Sequence, residues 1–293
     1  MCALKIKAWV KACRVHQWSK NALIFIPLLA AHQISSFACL QAIAAFFAFC
    51  LCASGVYILN DIIDLKRDRA HSSKNTRPFA AGILQPSQGL IVSPILAGCG
   101  LLLAYKIGTL FLFTALVYII ATTLYTFWVK RLLLLDVICL AGLYALRIFA
   151  GGTANHVSVS KWLLTFSVFF FLSLALSKRA SELIKSGGAD SGRQYTKEDL
   201  TVISQSGISS GYVAVLVLVL YINSIDIQTL YAFPDLLWGL CLLLLYWIVR
   251  MWILTSRGKI GEDPVLFAIN DKTSQLIAVL GTIIILLATK WNH

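Results

Sequence analysis

The stretch that decides the fold is the apolar run FACLQAIAAFFAFCLCASGVYIL at residues 37–59, followed by the polar segment NDIIDLKRD at residues 60–68. The run contains no charged residue and is long enough for a helix that crosses the hydrocarbon core of a membrane, which takes about 20 residues. Similar runs recur along the chain and predict about nine spanning helices. They lie at residues 21–36, 37–59, 88–106, 109–127, 136–153, 162–178, 207–224, 233–254 and 273–291. The first run is short and contains Pro27, so it is the weakest of the nine.

The composition supports an all-α, polytopic membrane protein with a single domain over residues 1–293. Hydrophobic residues make up 59% of the chain, against about 45–50% in soluble domains, and only 13% are charged. The formal charge of +12 is divided among short clusters between apolar runs, which argues against nucleic-acid binding. The eight cysteines contain no CxxC pair and predict neither a zinc site nor a disulfide framework.

The charged residues also predict an orientation. With the amino terminus in the cytosol, 21 of the 25 Lys and Arg residues fall in cytoplasmic segments, in agreement with the positive-inside rule. All acidic residues except Asp226 and Asp235 fall on the same side. Acidic residues contribute little to orientation, so their concentration indicates a functional site. We therefore expect a protein integral to the cell (inner or plasma) membrane, with its amino terminus and active-site loops in the cytoplasm.

Three carboxylates stand out where the second span ends. At 100° per residue, Asp61, Asp64 and Asp68 share one narrow stripe of a helix. Carboxylates so close repel each other unless a cation lies between them, and a hard divalent cation such as Mg²⁺ suits oxygen ligands. The alternative is a solvated helix end whose acids pair with the neighbouring cations Lys66, Arg67 and Arg69. The next polar patch, Lys74-Asn75-Thr76-Arg77-Pro78, favours the metal site, because its cations suit phosphate oxygens.

The pattern Asn60-Asp61-x-x-Asp64-x-x-x-Asp68, followed by a basic loop and Arg77-Pro78 before Gly82, resembles the first aspartate-rich motif of the UbiA-type intramembrane prenyltransferase superfamily. The resemblance implies a UbiA-like bundle of about nine helices around a cavity open to the cytoplasmic side. It also implies that Mg²⁺ and a diphosphate bind at the mouth of that cavity.

The second aspartate-rich motif typical of this superfamily is missing. The corresponding stretch is Ser177-Lys178-Arg179-Ala180-Ser181-Glu182-Leu183, which has two cations and one acid. Cations in this position favour direct binding of a second phosphorylated substrate over binding of a second magnesium ion.

Six short motifs, in order between about residue 8 and residue 275, resemble the decaprenyl-phosphate phosphoribosyltransferase branch of the superfamily. They are Arg14-Val15-His16-Gln17-Trp18-Ser19-Lys20-Asn21, Tyr125 with Lys130-Arg131, Asp136, Leu143-Tyr144-Ala145-Leu146-Arg147 before Gly151-Gly152, Lys178-Arg179-x-x-Glu182-Leu183, and Glu262-Asp263-Pro264-Val265-Leu266-Phe267-Ala268 with Asp271-Lys272. This branch implies transfer of a 5-phosphoribosyl group from phosphoribosyl diphosphate to a polyprenyl (decaprenyl-like) phosphate, with release of diphosphate.

The resemblance implies roles for individual residues. The carboxylates that hold Mg²⁺ on the donor's diphosphate, and so neutralise the leaving group through the metal, are Asp61, Asp64 and Asp68. The cations that contact donor phosphates are Lys74, Arg77 and Lys130, and those that hold either the donor or the lipid phosphate are Lys178 and Arg179. The further substrate-binding candidates are Gln17, Lys20, Asn60, Tyr125, Arg147 and Glu182. Polyprenyl phosphate is already an anion, so catalysis needs no strong general base and consists mostly of positioning and charge stabilisation.

Several candidates have a structural alternative. Arg147 lies inside a span, where an arginine is costly and indicates a site, but it can instead reach the outer interface or a backbone carbonyl. Gln17 and Lys20 either bind substrate or anchor the first helix among lipid headgroups. The polar run at residues 187–193, within the loop at residues 184–206, is either a plain connector or a lid over the substrate. Gly207 and Gly211 form a GxxxG pattern that predicts close helix packing.

Two other functions stay open on the sequence. One is a UbiA-type prenyltransferase that moves a polyprenyl group to an aromatic or other acceptor, against which the missing second aspartate-rich motif argues. The other is a non-catalytic lipid-phosphate transporter or scaffold, against which the concentration of polar groups at one face argues.

Overall fold

The computed structural model describes residues 2–31, 35–70, 74–186, 194–261 and 263–289. This part of the chain consists of α-helices joined by short 3₁₀ segments and turns, with a single β-bridge between Tyr231 and Thr289. The α-helices are α1 (Cys2–Ala12), α2 (Ile26–Ala30), α3 (Ser36–Ile63), α4 (Leu65–Ala70), α5 (Pro86–Ile107), α6 (Thr109–Phe127), α7 (Leu135–Asn155), α8 (Lys161–Ser186), α9 (Leu200–Ile222), α10 (Ile225–Leu230), α11 (Trp238–Ser256), α12 (Pro264–Asn270) and α13 (Lys272–Ala288). The 3₁₀ segments are Val15–Phe25, Lys74–Thr76, Val129–Arg131, Lys197–Asp199 and Pro234–Leu237. The all-α prediction is confirmed.

Seven helical stretches in the described residues are long and apolar enough to cross a membrane. They are Ser36–Ile63, Pro86–Ile107, Thr109–Phe127, Leu135–Asn155, Lys161–Lys185, Lys197–Ile222 and Pro234–Ser256. Helices α12 and α13, which are bent by 77° relative to each other, provide an eighth if the pair crosses as one span. These stretches match the second to ninth runs of the sequence.

The first expected span, residues 21–36, is not one long helix. Its beginning belongs to the 3₁₀ segment Val15–Phe25, and α2 follows with Pro27 in its first turn. Proline fits the start of a helix because its missing N–H has no partner there in any case. The structure thus begins a new short helix at the proline, and residues 32–34 of this run lie outside the described part of the chain.

The chain divides into two compact units. The first unit comprises residues 1–130 and 146–159, and the second comprises residues 131–145 and 160–293. Helix α7 therefore contributes its beginning to the second unit and its remainder to the first.

Close packing of α3 against α5 forms the centre of the first unit. A Cβ atom on Gly55 would lie 2.7 Å from the carbonyl oxygen of Ser93, and one on Gly100 would lie 2.8 Å from that of Ala48. The Ser93 hydroxyl donates a hydrogen bond of 2.8 Å to the carbonyl of Gly55. Without a hydrophobic force between helices in lipid, such close backbone contacts and interhelical hydrogen bonds hold a membrane bundle together.

In the second unit, glycines let bulky side chains approach α9. A Cβ atom on Gly207 would lie 2.1 Å from the indole of Trp252, and one on Gly211 would lie 2.6 Å from Ile248. The Ser173 hydroxyl donates to the carbonyl of Gly207 at 2.7 Å and accepts from the Trp252 indole N–H at 3.0 Å. The close packing predicted for the GxxxG pattern is confirmed.

The packing of α5 gives a matched pair of substitutions. Gly100→Ala places a methyl group against α3 backbone, so we expect it to destabilise the protein by about 1–3 kcal/mol. Gly98 lies on the same helix with nothing within 4 Å of an added Cβ, so Gly98→Ala should be neutral or stabilise by up to about 1 kcal/mol. Thermal unfolding midpoints in detergent micelles compare the two variants. Equal midpoints for both would contradict the close α3–α5 contact.

Candidate active site

The three aspartates form one continuous helical face at the end of α3. The N–H of Asp64 donates to the carbonyl of Asn60 at 2.9 Å, and the N–H of Asp68 donates to the carbonyl of Asp64 at 2.8 Å. The helical hydrogen bonding thus runs through the junction between α3 and α4. Each carboxylate then meets a cation from elsewhere in the first unit. The partners are Arg14, Arg77 and Lys130, whereas the side chains of Lys66, Arg67 and Arg69 are exposed.

Arg77 joins two of the carboxylates. Its Nη1 atom lies 2.7 Å from Oδ2 of Asp68 and 3.1 Å from Oδ1 of Asp61. The side chains of the two aspartates are only 3% and 4% exposed, against 25% for Arg77. Burial strengthens the attraction between the charges, because water no longer screens them fully.

Arg14 is the second guanidinium on Asp61. Its Nη2 atom lies 2.5 Å from the same Oδ1 atom, and its guanidinium carbon lies 5.0 Å from the centre of the Tyr57 ring. The backbone of Arg14 is left-handed, with φ 51° and ψ 46°, immediately before the 3₁₀ segment Val15–Phe25. A non-glycine residue in this region is strained, and such strain is concentrated at functional sites.

Lys130 closes the cluster at the third carboxylate. Its Nζ atom lies 2.7 Å from Oδ2 of Asp64 and 3.5 Å from the side-chain oxygen of Asn60. The lysine and aspartate side chains are 12% and 18% exposed, so Asp64 is more accessible to water than Asp61 and Asp68. Lys130 belongs to the short 3₁₀ segment Val129–Arg131 that follows α6.

The loop that carries Arg77 is fixed from two sides. Phe79 is completely buried in a hydrophobic cluster with Ala8, Ala12 and Ile58, and so fixes the loop between α1 and α3. Lys11 donates a hydrogen bond of 2.9 Å to the carbonyl of Thr76. Helix α1 thus holds the loop in the position from which Arg77 reaches the aspartates.

Burial and the neighbouring charges both act on the pKa of Asp68. Burial raises the pKa of Asp68, the hydrogen bond and charge of Arg77 lower it, and the negative charges of Asp61 and Asp64 raise it again. The net shift is upwards. The site therefore favours additional positive charge next to Asp68.

The aspartates fit a hard divalent cation in their chemistry. All three offer carboxylate oxygens, the ligands that Mg²⁺ prefers, together with phosphate oxygens and water. Within the described residues, however, no three acidic, histidine or cysteine side chains converge closely enough to hold a metal ion by themselves. Asp61 and Asp68 converge on the Arg77 nitrogen instead, so a metal bound by both would compete with that guanidinium.

Arg147 lies in a separate polar network of the first unit. It is 5% exposed, its Nε donates to the side-chain oxygen of Asn21 at 2.9 Å, and its Nη2 donates to the Tyr118 hydroxyl at 2.9 Å. The amide of Asn21 donates in turn to the Cys50 thiol at 3.3 Å. These contacts link α7 to α6 and to the Val15–Phe25 segment, so Arg147 is buried in the unit and does not extend to an interface.

The second unit holds the cationic pair that replaces the second acidic motif. Arg179 is 1% exposed and forms an ion pair of 2.7 Å with Asp136, which is completely buried. It forms a further ion pair with Glu182. The Tyr195 hydroxyl donates to Asp136 at 2.6 Å and accepts from the N–H of Leu134 at 3.0 Å. Burial, followed by the hydrogen bond to Asp136 and its charge, raises the pKa of Tyr195, so this hydroxyl stays a donor. Lys178 is half-buried.

The remaining candidates lie at several places. Lys20 donates to the side-chain oxygen of Gln17 at 3.3 Å, on the Val15–Phe25 segment. Tyr125 and Lys74 are half-buried, on α6 and on the Lys74–Thr76 segment. Residues 187–193, the connector or lid, and Glu262 of the last motif lie outside the described part of the chain.

Two contact residues escaped selection from the sequence. Arg14 opens the Arg14–Asn21 motif, so its sequence signal was present, but only the fold reveals its contact with Asp61. Tyr195 follows the polar run at residues 187–193 in a stretch without a motif, and its contact with Asp136 spans 59 positions. No pattern in the sequence indicates that contact.

The helices and their buried ion pairs define an integral membrane protein of the all-α class. The chain belongs to the UbiA prenyltransferase family, whose family model matches residues 22–270. Its fold is similar to that of a UbiA homologue from Archaeoglobus fulgidus solved with GPP and Mg²⁺, with a TM-score of 0.73 and 16% identity over 95% of this chain and 99% of the other. The UbiA-like fold expected from the sequence is thus confirmed.

Relatives of known sequence cover the chain to different extents. The protein y4nM of Sinorhizobium fredii is 37% identical over 94% of this chain, which spans only 54% of that relative. Nodulation protein NoeC of Azorhizobium caulinodans is 34% identical over 93% of this chain and 90% of its own length. A decaprenyl-phosphate phosphoribosyltransferase of Mycolicibacterium smegmatis is 32% identical over 61% of this chain and 58% of its own length.

The ion pairs of Arg179 allow a test of the buried cluster in the second unit. Asp136→Asn removes the completely buried partner of a buried guanidinium, so we expect a loss of about 3 kcal/mol or more in stability. Glu182→Gln removes a partner that is 22% exposed, and water compensates for most of its loss, so we expect about 1 kcal/mol or less. Unfolding midpoints in detergent micelles measure both variants. A larger loss for Glu182→Gln than for Asp136→Asn would be inconsistent with this assignment.

Proposed function

We propose that this chain, as one membrane-embedded transferase domain, moves a 5-phosphoribosyl group from phosphoribosyl diphosphate to a polyprenyl (decaprenyl-like) phosphate and releases diphosphate. The observation that carries the proposal is the mixed cluster of carboxylates and cations around Asp61, Asp64 and Asp68. Family membership and the 32% identity to a decaprenyl-phosphate phosphoribosyltransferase support it. The active-site loops lie on the cytoplasmic side in this proposal, as the charge distribution predicts.

The first unit binds the donor. Asp61, Asp64 and Asp68 hold Mg²⁺, which when bound supplies positive charge to the leaving diphosphate. Some cations contact those carboxylates in the structure, above all Arg77 and Lys130. When the donor is bound, these cations bind the diphosphate oxygens instead. The GPP and Mg²⁺ bound by the Archaeoglobus fulgidus homologue support a diphosphate and a magnesium ion as ligands of this fold.

Contacts to the substrates extend beyond the aspartate face. Lys74, which precedes Arg77 in the same loop, contacts donor phosphate, and Asn60 orients Lys130 through its side-chain oxygen. Gln17, Lys20 and Tyr125 complete the set of polar groups for the substrates. Arg147 acts indirectly: its bonds to Asn21 and Tyr118 hold the Val15–Phe25 segment, which begins next to Arg14.

The acceptor phosphate binds to Lys178. Arg179 forms ion pairs with Asp136 and Glu182, so its role is to fix this turn of α8, and the half-buried Lys178 is the cation of the pair that we assign to the acceptor phosphate. An ammonium group suits phosphate as a point charge that can adjust to the lipid headgroup.

The reaction requires charge stabilisation more than acid–base catalysis. The acceptor is a phosphate anion and therefore needs no strong base to become nucleophilic. Arranged cations neutralise the charge that develops on the leaving diphosphate, and they do so without reorganisation at the moment of reaction. Positioning of the two anionic substrates supplies the remainder of the rate enhancement.

A transfer assay with purified protein tests the proposal. Phosphoribosyl diphosphate, polyprenyl phosphate and Mg²⁺ should give diphosphate and a phosphoribosyl lipid, and EDTA should abolish the reaction. Asp64→Asn should lower turnover by about 100-fold or more, because it weakens the binding of the Mg²⁺ that stabilises the leaving group. Asp235→Asn, at an exposed acid on another segment, should have no effect. Absence of transfer with polyprenyl phosphates of several chain lengths would refute the proposal, and geranyl transfer from GPP would identify a prenyltransferase instead.

The role of Lys178 predicts which substrate is affected. Lys178→Met should raise the KM for polyprenyl phosphate by roughly 10- to 100-fold, the effect of losing one charge-assisted hydrogen bond, without raising the KM for phosphoribosyl diphosphate. Lys185→Met is the matched control, since Lys185 is an exposed lysine on the same helix. Steady-state kinetics with each substrate varied in turn separates the two constants. A higher KM for the donor alone would assign Lys178 to the donor site.

A further inference from the structure

Two guanidinium groups lie on one buried carboxylate oxygen. Oδ1 of Asp61 contacts Nη2 of Arg14 at 2.5 Å and Nη1 of Arg77 at 3.1 Å, and the same Arg77 nitrogen contacts Asp68 at 2.7 Å. Because one nitrogen touches both aspartates, their oxygens can be no farther apart than those two distances combined. The guanidinium nitrogen thus lies between two carboxylate ligands of the proposed metal.

The acids and the arginines differ in how firmly they are held. Asp61 and Asp68 lie on a continuous helical face and are almost completely buried. The loop backbone at Arg77 is fixed, but the side chains of Arg77 and Arg14 are 25% and 17% exposed. The arginines can therefore turn towards a ligand, while the aspartates stay in place.

Leaving both carboxylates without a cation would be costly. A buried charge that loses its partner strongly destabilises a protein, because its desolvation is no longer offset. Some cation must therefore neutralise Asp61 and Asp68 whether or not a metal is bound. In the described structure the arginines fill that role.

We propose that Arg77, assisted by Arg14, is an exchangeable counter-ion. It neutralises Asp61 and Asp68 when no metal is bound and moves to the donor's phosphates when Mg²⁺ takes the carboxylates. The inference rests on the proposed function, in which these aspartates bind Mg²⁺ and these cations bind diphosphate. Its consequence is an order of binding: the metal is favoured together with diphosphate and disfavoured alone, because the displaced guanidinium then has an anion to bind.

Thermal unfolding of the full-length chain in detergent micelles tests the exchange without any catalysis. The conditions are EDTA, MgCl₂ alone, and MgCl₂ with inorganic diphosphate. Wild type should gain stability from Mg²⁺ mainly when diphosphate is also present. Arg77→Gln should have a lower midpoint than wild type in EDTA and should recover most of the loss with Mg²⁺ alone, because the metal replaces the missing counter-ion. Arg67→Gln, at an exposed arginine on α4, should behave as wild type does.

Direct binding of Mn²⁺, followed by its EPR signal without diphosphate, provides a second measurement. Arg14→Gln keeps Arg77 in place, so it serves even if Arg77→Gln does not fold. Removal of this competing cation should tighten Mn²⁺ binding by about 5- to 100-fold. The proposal is overturned if neither variant binds the metal more tightly than wild type, or if Mg²⁺ alone stabilises wild type and Arg77→Gln equally. Metal rescue in a protein that transfers no phosphoribosyl group would support the counter-ion exchange and refute the proposed function.

Discussion

The position of Arg77 between Asp61 and Asp68 is the interaction on which the first unit depends. Two carboxylates at the end of a membrane-embedded helix are tolerated only if cations neutralise them, because desolvation of an unpaired charge is expensive. This requirement explains why a loop is fixed so firmly beside α3. Phe79 is inserted into the hydrophobic cluster and Lys11 binds the carbonyl of Thr76. Helix α1 and the loop together therefore place the Arg77 guanidinium next to the aspartates. The apolar packing and the charged site are parts of the same arrangement.

Other buried charged residues of the protein are stabilised by different sets of partners. In the second unit, Asp136 is completely buried and takes an ion pair from Arg179 and a hydrogen bond from Tyr195. In the first unit, Arg147 binds the neutral groups of Asn21 and Tyr118 and approaches the face of the Tyr118 ring. Through these hydrogen bonds to neutral groups, Arg147 holds helices together. The cluster around Asp61 is different in kind, because its acids are buried while its cations extend towards the surface.

The sequence specified the helices better than it specified the contacts. A long apolar run such as residues 37–59 leaves little choice of secondary structure, since an extended chain in lipid would have unpaired backbone groups. Eight of the nine expected runs are found as helices or as a bent pair. The common face of the aspartates also followed from helix geometry. The partners of those aspartates did not, because Arg14 lies 47 positions from Asp61 and Lys130 lies 66 positions from Asp64. Neighbouring cations such as Arg67 were the obvious local alternative, and only tertiary packing excludes them. Residues 21–36 departed from a single span because proline starts a new helix at α2 and the preceding residues form a 3₁₀ segment.

Arg179 shows why a change of residue type in a motif needs the structure for its interpretation. The cations Lys178 and Arg179, where acids are typical of the superfamily, suggested two groups for a phosphorylated substrate. Neighbours on the same helix have different environments, since successive residues are 100° apart. One of the pair, Arg179, is buried in the unit and forms ion pairs with Asp136 and Glu182, and the other, Lys178, is half-buried. The substitution of acid by base therefore does not by itself give two cations for a ligand, because Arg179 neutralises acids of its own unit.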